Sequence, residues 1–186
     1  MHQPLSLKPS AVLRGYFRAK DENRPHLLAE VFSDDATLCV VNKATNIVFP
    51  AVTKGRESIA DVLVRRFAQT YENIYSFYLS KPPEKASKFS CEWLVGMTEK
   101  ESKNVRIGCG RYDWTFSSCS PYLASELVIT IETMQVLPSS AFGTVFAWLQ
   151  RLNYPWANKD EVVNSATGLD LLAAVREKLS SDEPRA

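Results

Sequence analysis

The sequence predicts an α+β fold: a cone-shaped, curved antiparallel sheet packed against three N-terminal helices, with extra helices at the C-terminal end. Apolar residues recur at helical spacing up to about residue 71, and from about residue 73 they alternate with polar ones along segments joined by short turns. Long consecutive strands form an antiparallel sheet, and the preceding helices pack on one of its faces. A curved sheet against three helices makes a cone, whose interior is a place for a ligand pocket.

Each of the three N-terminal helices is marked by an apolar stripe. The first begins at Pro9, which suits a first helical turn because no N–H is needed there. The second spans residues 27–32 and is ended by two aspartates, and the third follows Gly55. The stripes consist of Val12, Leu13, Tyr16 and Phe17, then Leu27, Leu28, Val31 and Phe32, then Ile59, Leu63 and Phe67.

The strands are expected in two groups. A short strand at residues 37–41 is followed by turn residues and by a return strand at 47–52, where Pro50 favours a sheet edge or a bulge. Four longer strands then follow one another along the chain. They are expected at residues 73–80, 89–97, 105–116 and 123–137.

The third of the longer strands has two unlike faces. Tyr112 and Trp114 share one face with Gly108 and Gly110. Because glycines carry no side chain, they would leave room for a ligand beside the rings. With Trp93 from the preceding strand, these aromatic residues would form one wall of a pocket, and ordinary core packing is the alternative.

The C-terminal third predicts further helices. The segment that begins at Phe142 is apolar nearly all round, so it has to be buried on more than one side. Residues 142–156 would either form a lid over the cone or take part in a dimer interface. We expect a single domain over residues 1–186, with a core at about 10–137 and a helical extension at 138–180. The last helix carries Leu171, Leu172, Val175 and Leu179.

Composition and charge argue against several classes of protein. The 186 residues carry a net charge of +1, whereas a nucleic-acid partner requires a basic excess on one face. The four cysteines form no Cys-x-x-Cys pair, which indicates a reducing compartment, and we expect the cytoplasm. The first ten residues lack an apolar signal core, and no apolar run is long enough for a membrane span. The two histidines have no carboxylate cluster at ligand spacing, so neither a metal nor another cofactor is expected.

Three stretches of the sequence match a known family. Tyr16 lies in the first helix, residues 29–38 read AEVFSDDATL, and residues 54–59 read KGRESI. Together with the order of elements over about residues 12–137, they resemble the nuclear transport factor two-like superfamily in its SnoaL-like branch. The resemblance implies the cone fold. It leaves the activity open, because that superfamily includes isomerases, dehydratases, cyclases and non-catalytic binding domains.

Two enzymes of this superfamily suggest roles for individual residues. The ketosteroid isomerases place a tyrosine donor in the first helix, which by resemblance is Tyr16, and their second oxyanion donor would fall near Tyr112. Their general-base aspartate would fall at Val40, and a valine cannot accept a proton. Scytalone dehydratase relies on strand histidines, whereas His2 and His26 lie outside the predicted strands. The resemblance therefore implies two donors without their usual base.

Glu132 is the best candidate for a replacement base. It lies in an apolar strand between Ile131 and Thr133. If it faces the cavity, desolvation would raise its pKa and suit it for general-base catalysis, and if it faces outward it is an ordinary surface charge. Both remain open, because one residue of register error swaps the faces of a strand. Arg111 and Asp113 are expected to pair on the face opposite the aromatic residues.

The expected function is that of a SnoaL-like protein with a hydrophobic pocket for a small apolar molecule. As an isomerase, dehydratase or cyclase it would use Tyr16 and Glu132 as catalytic residues and Trp93, Tyr112 and Trp114 to bind the substrate. The alternative is a non-catalytic ligand-binding or protein-interaction module of the same fold. The expected assembly is a homodimer through the outer sheet face.

Overall fold

A computed structural model describes residues 8–119 and 121–181 of the chain. Within them, six strands form one curved sheet in the order β2-β1-β6-β5-β4-β3. The strands are β1 (Phe32–Asn42), β2 (Val52–Lys54), β3 (Tyr71–Tyr78), β4 (Lys88–Glu99), β5 (Val105–Phe116) and β6 (Ala124–Leu137). The α-helices are α1 (Pro9–Asp21), α2 (Arg56–Ala60), α3 (Phe67–Thr70), α4 (Phe142–Leu149), α5 (Lys159–Ser165) and α6 (Ala173–Ser180).

The predicted α+β class and the packing of a curved sheet against N-terminal helices are confirmed. Strands β3 to β6 pair with their neighbours as antiparallel hairpins, and β2 pairs antiparallel with β1. The one difference in strand direction among the described residues is that β1 runs parallel to β6. These two strands lie far apart along the chain, so no turn sets their relative direction.

Two short elements differ from the sequence prediction. The predicted second helix is a six-residue 3-10 helix, Pro25–Glu30, because Phe32 already pairs with Ala124 at the start of β1. The predicted return strand is reduced to β2, because the loop before it carries Ile47 and Phe49 into the wall of the cone. In both places tertiary contacts decide the structure, and sequence periodicity does not contain them.

The inner face of the sheet is packed against the N-terminal helices in one buried apolar cluster. A π-helical turn, Asp61–Arg66, joins α2 to α3 and contributes Leu63 to the wall of the cone. Turns of this kind occur frequently at functional sites. The apolar stripes predicted for the first and third helices are in this cluster: Val12, Leu13, Tyr16 and Phe17, and Ile59, Leu63 and Phe67.

The outer face carries a second apolar cluster, beneath the C-terminal helices. Leu94 and Ile107 of the sheet belong to it with Val145 and Leu149 of α4 and Val175 of α6. The helix α4 and Leu152 therefore pack on the outer face, whereas Trp156 stacks on Tyr78 of the inner cluster. No residue of the segment from 142 to 156 lines the cavity of the cone, so the segment is not a lid over it. This packing supplies the burial that its apolar character demanded.

Helix α5 is absent from the sequence prediction. Val162 is the buried side chain of this helix, so the sequence contains no apolar stripe from which the helix could be predicted. Its N-terminus is capped by Asn158, whose Oδ1 accepts hydrogen bonds from the backbone N–H groups of Asp160 and Glu161. A short capped helix of this kind depends on its neighbours for stability.

The four cysteines are free thiols. Burial raises the pKa of Cys91, and it raises that of Cys109 to about 12, so neither forms a reactive thiolate near neutral pH. None of the helices in residues 8–119 and 121–181 combines the length and the apolar character that a membrane span requires.

Candidate active site

A cavity lies inside the cone, between the inner face of the sheet and the helices α1 and α3. Its volume is about 50 Å³, so it can hold only a small molecule. Four of its lining side chains carry polar hydrogens: Tyr16, Lys20, Trp93 and Tyr112. The other lining residues are aliphatic, methionine or phenylalanine side chains, so the cavity suits a small, mainly apolar molecule.

The loop before β2 separates this cavity from a surface groove. Ile47, Phe49 and Phe67 line both spaces. The rings of Phe49 and Phe67 stack at a centroid distance of 6.4 Å. These three side chains therefore form the boundary between the interior of the cone and the groove, whose volume is about 200 Å³.

Tyr16 and Tyr112 bring two phenol groups to the cavity from opposite layers. Tyr16 comes from α1 and Tyr112 from β5, and their rings meet edge to face with centroids 5.9 Å apart. The two phenol groups are close enough to influence each other's pKa. Burial raises the pKa of both phenols, so both keep their protons at neutral pH and can donate hydrogen bonds.

Trp93 and Trp114 occupy different positions, although the sequence predicts one aromatic wall. Trp93 lines the cavity and stacks on Tyr112 with centroids 5.6 Å apart. Its indole Nε1 is buried without a hydrogen-bond partner among the described residues. Trp114 is one layer further out, with its ring centroid 5.2 Å from that of Tyr16. Trp114 therefore supports Tyr16 and is not part of the cavity wall.

Gly108 and Gly110 permit close packing and do not open space for a ligand. A Cβ on Gly110 would lie 2.0 Å from the carbonyl oxygen of Thr130 and 2.8 Å from Cζ2 of Trp93. A Cβ on Gly108 would lie 2.6 Å from Cε of Met134. The room expected beside the rings is therefore occupied by the side chains of Trp93 and Met134.

Lys20 is the charged residue in the cavity wall among the described residues, and it is 5% exposed. Its Nζ donates a hydrogen bond to Oδ1 of Asp21 at 2.5 Å and one to Oγ of Ser76 at 2.9 Å. Ser76 Oγ in turn donates to Oδ1 of Asp21 at 3.0 Å, so the three side chains form a closed triangle. Nζ also lies 5.1 Å from the ring centroid of Phe67, which is a cation–π contact.

The carboxyl group of Asp21 is as well buried as the amine it contacts. Its second oxygen, Oδ2, has no hydrogen-bond partner in the part of the chain that the structure describes. Burial raises the pKa of this carboxyl, and the Lys20 ammonium and the hydrogen bonds from Lys20 and Ser76 act in the opposite direction. Transfer of a proton within this pair would give a neutral form, in which the carboxyl is protonated and the amine is free.

Glu132 does not line the cavity, so of the two positions that the sequence leaves open the structure has the outward one, and the candidate base is not at the site. The pairing of β5 with β6 shifts by one residue at this point, and Glu132 is the extra residue of the bulge. Its carboxylate forms ion pairs with Lys43 at 2.8 Å and with Lys178 at 3.5 Å. Arg111 and Asp113 pair at 2.8 Å on the outer face, as the sequence predicts.

Val40 does line the cavity, at the position where the resemblance implies a base. The charged group in the cavity wall is instead Lys20, which comes from α1. Sequence contains one signal for it: Lys20 follows Tyr16 by four residues, which places a lysine on the apolar stripe of the first helix. Ser76 gave no such signal, because its contacts with Lys20 cross from one layer to the other.

The arrangement favours a ligand with a hydrogen-bond acceptor. Phenol, indole and ammonium groups all have hydrogens to donate, and they surround a space that is otherwise apolar. A carbonyl oxygen meets this requirement. For metals, the described residues contain no group of three or more His, Cys, Asp or Glu side chains that could hold an ion.

Solved structures of other proteins share this architecture. LinA aligns with a TM-score of 0.54 at 15% identity, over 68% of this chain and 84% of its own. A candidate isomerase from Rhodopseudomonas palustris aligns with a TM-score of 0.53 at 14% identity, over 65% of this chain and 86% of its own. A nuclear transport factor two-like (NTF2-like) protein from Burkholderia xenovorans aligns with a TM-score of 0.50 at 11% identity, over 69% of this chain and 93% of its own. This chain has the NTF2-like fold.

For this NTF2-like chain the structural matches establish the fold alone, because their sequence identities are low. Another structure of LinA names it a hexachlorocyclohexane dehydrochlorinase, so the proteins that share the fold include enzymes. No family model and no curated protein matches the sequence. The chemistry of the NTF2-like cone has to be argued from its own residues.

Proposed function

We propose that this protein is an enzyme that binds a small, mainly apolar carbonyl compound in the cone and transfers a proton on it. The observation that carries the proposal is the buried ion pair that Lys20, a residue of the mainly apolar cavity wall, forms with Asp21 behind it. Removing two charges from water is unfavourable, and titratable groups in such an environment are candidates for a functional site. The isomerase and dehydrochlorinase names among its structural neighbours support catalysis on this fold.

In this proposal Tyr16 and Tyr112 bind the carbonyl oxygen. Both phenols are protonated donors, because burial raises their pKa. When a proton leaves the carbon next to a carbonyl, negative charge develops on the oxygen, and donors already in place stabilise it. The unpartnered Nε1–H of Trp93 is a third donor in the same wall.

The proton itself is handled by Lys20 and Asp21. In the neutral form of the pair the amine of Lys20 accepts a proton from the substrate carbon, and it can return that proton to a second position. Asp21 keeps the pair close to electrical balance throughout. A positioned acid–base group of this kind contributes roughly 100-fold to 10,000-fold in rate.

Deuterium incorporation tests this function without knowledge of the natural substrate. Small ketones and aldehydes are incubated with the protein in D₂O, and exchange of the hydrogens next to the carbonyl is followed by proton NMR. We expect the protein to accelerate exchange of one or more of these compounds, and Lys20→Met to abolish the acceleration. Glu132→Gln is the matched control, because it removes a carboxylate that lies outside the cavity and should leave the rate unchanged.

Two results would reject the proposal. The first is that no compound of a series from acetone to cyclohexanone exchanges faster with the protein than with buffer. The second is an acceleration that Lys20→Met leaves intact while the variant remains folded by circular dichroism. Loss of the acceleration in Glu132→Gln would instead identify Glu132, outside the cavity, as the base.

A non-catalytic binding module is the second candidate function. Val40 favours it, because an aliphatic side chain stands in the cavity where the resemblance implies a base. A protein of this kind would bind the same compounds, as saturation-transfer NMR would detect, without exchanging their hydrogens. Binding without exchange therefore separates the two candidates.

The homodimer remains a proposal. The helices α4 to α6 cover the part of the outer sheet face that carries Phe77, Leu94 and Ile107. A dimer through the outer face would have to use the uncovered part, where Arg111 and Asp113 lie. Light scattering on the purified protein would give the mass of the assembly, and Arg111→Glu should weaken a dimer that uses this surface.

A further inference from the structure

Lys20 offers a nucleophile as well as a proton. Its Nζ stands in the cavity wall and is held from one side by Asp21 and Ser76 and from the other by the rings of Phe17 and Phe67. Two of the three ammonium hydrogens are engaged by the oxygens of Asp21 and Ser76. This fixed, buried position is the environment in which lysines act as covalent catalysts.

An amine attacks a carbonyl carbon only after it has lost a proton. The acceptor for that proton is already in contact, because Oδ1 of Asp21 is 2.5 Å from Nζ. Transfer converts an ion pair into a neutral amine and a carboxylic acid, and a site of low polarity favours the neutral form. Ser76 stays hydrogen-bonded to both groups and keeps them aligned.

The same cavity contains hydrogen-bond donors for the oxygen of a carbonyl group. Tyr16, Tyr112 and Trp93 supply hydrogen-bond donors that can polarise a C=O group. The remaining wall is apolar, and the cavity is small, with a volume of about 50 Å³. A small aldehyde or ketone satisfies these conditions.

We propose that Lys20 forms a Schiff base with a small aldehyde or ketone bound in the cone. The lone pair of Nζ forms a bond to the carbonyl carbon, and the π electrons of the C=O group move to the oxygen, which takes up a proton that the nitrogen loses. The carboxylic acid of Asp21 then protonates the hydroxyl group of this carbinolamine, which leaves as water, and a protonated carbon–nitrogen double bond forms beside the Asp21 carboxylate. The protonated imine retains Asp21 as its counter-ion, so the overall change is amine plus carbonyl to imine plus water.

This inference rests on the proposed function and deepens it, since a protonated imine makes the neighbouring C–H more acidic than the parent carbonyl does. Because the nitrogen of a protonated imine has no free lone pair, the carboxylate of Asp21 replaces the amine of Lys20 as the acceptor of the substrate proton. The Schiff base also assigns Asp21 a role that a simple acid–base lysine would not require, because the carboxyl first takes the proton and then balances the charge of the imine.

Reductive trapping tests the Schiff base on the unaltered protein. The protein is incubated with propanal or butanone and sodium cyanoborohydride, and modified lysines are located by peptide mass spectrometry. We expect Lys20 to be alkylated at least 10-fold faster than Lys81, which is exposed and serves as the reference in the same sample. Asp21→Asn should remove this preference while Lys81 reacts as before.

The outcomes distinguish this inference from the proposed function. If butanone exchanges its hydrogens with the protein but Lys20 is alkylated no faster than Lys81, the Schiff base is rejected and acid–base catalysis by the free amine remains. If butanone neither binds by saturation-transfer NMR nor exchanges, the proposed function is rejected as well. Preferential alkylation of Lys20 over Lys81 by propanal or butanone supports the inference.

Discussion

Both faces of the sheet are buried where helices cover them, but they differ in what they bury. Trp93 and Leu94 are neighbours on β4, are 4% and 0% exposed, and point to opposite layers. The inner layer contains phenols, an indole N–H and an ion pair around a cavity, whereas the outer layer is mainly aliphatic and aromatic packing beneath α4 to α6. Burial alone therefore does not identify a site, and the unusual polar groups within the buried layer do.

The largest effect on stability is expected from breaking the ion pair of the inner layer. Lys20→Met should destabilise the protein by about 3–5 kcal/mol near pH 8, because it leaves the carboxylate of Asp21 buried and unpaired. The double variant Lys20→Met with Asp21→Asn should be considerably more stable than the single one. Urea unfolding of both variants and the parent protein measures these differences, and equal stabilities would show that the pair is not coupled.

The same carboxyl should make stability depend on pH. Burial raises the pKa of Asp21 in the folded protein above its ordinary value of 3.8, so the folded state binds more protons than the unfolded state above that pH. The contribution of Asp21 is therefore fully present below about pH 4 and decreases as pH rises through the folded pKa. Urea unfolding at a series of pH values should show this decrease most clearly in Lys20→Met, and Asp21→Asn should remove it.

A pair of glycine substitutions compares how strictly the two layers are packed. Gly110→Ala should destabilise by about 3 kcal/mol or more, because its Cβ would lie 2.0 Å from a backbone oxygen, which cannot move freely. Gly96 lies on the outer face, and its Cβ would lie 2.2 Å from Cδ1 of Leu149, the far end of a side chain. Gly96→Ala should therefore destabilise by only about 1–2 kcal/mol. Thermal unfolding checks the order, and a more severe effect of Gly96→Ala would contradict it.

Two tyrosine substitutions separate the chemistry of the layers. Tyr16→Phe should reduce the exchange rate by roughly 100-fold, because it removes a donor to the developing oxyanion, with a small change in stability. Tyr75 packs against the outer cluster, so Tyr75→Phe should leave the exchange rate unchanged. NMR exchange rates at saturating ketone provide the measurement, and equal rates for Tyr16→Phe and the parent protein would exclude Tyr16 as a donor.

The smallest effect is expected at Glu132. Because its ion pairs with Lys43 and Lys178 lie at the surface, Glu132→Gln should change stability by less than about 1 kcal/mol. The exchange rate should be unchanged. Chemical unfolding at low and high salt checks the first expectation, since screening should reduce the difference between variant and parent.

Much of the fold could be predicted because the spacing of apolar residues in the sequence corresponds to the helices and strands that form. The strand at Val105–Phe116 and the first helix from Pro9 were both expected, as was the pairing of Arg111 with Asp113. The outward position of Glu132 could not be predicted, because the pairing of β6 with β5 decides which face of β6 lines the cavity. The parallel contact of β1 with β6 depends likewise on long-range pairing.

By itself the sequence determined the fold class, the resemblance to the NTF2-like cone and the inward positions of Tyr16, Tyr112 and Trp93. These follow from spacing along single elements. Tertiary structure alone decided that Glu132 is outside, that Lys20, Asp21 and Ser76 meet, and that α4 to α6 cover the outer face. Each of these facts joins segments distant in the chain, and local periodicity carries no information about which distant segments come into contact.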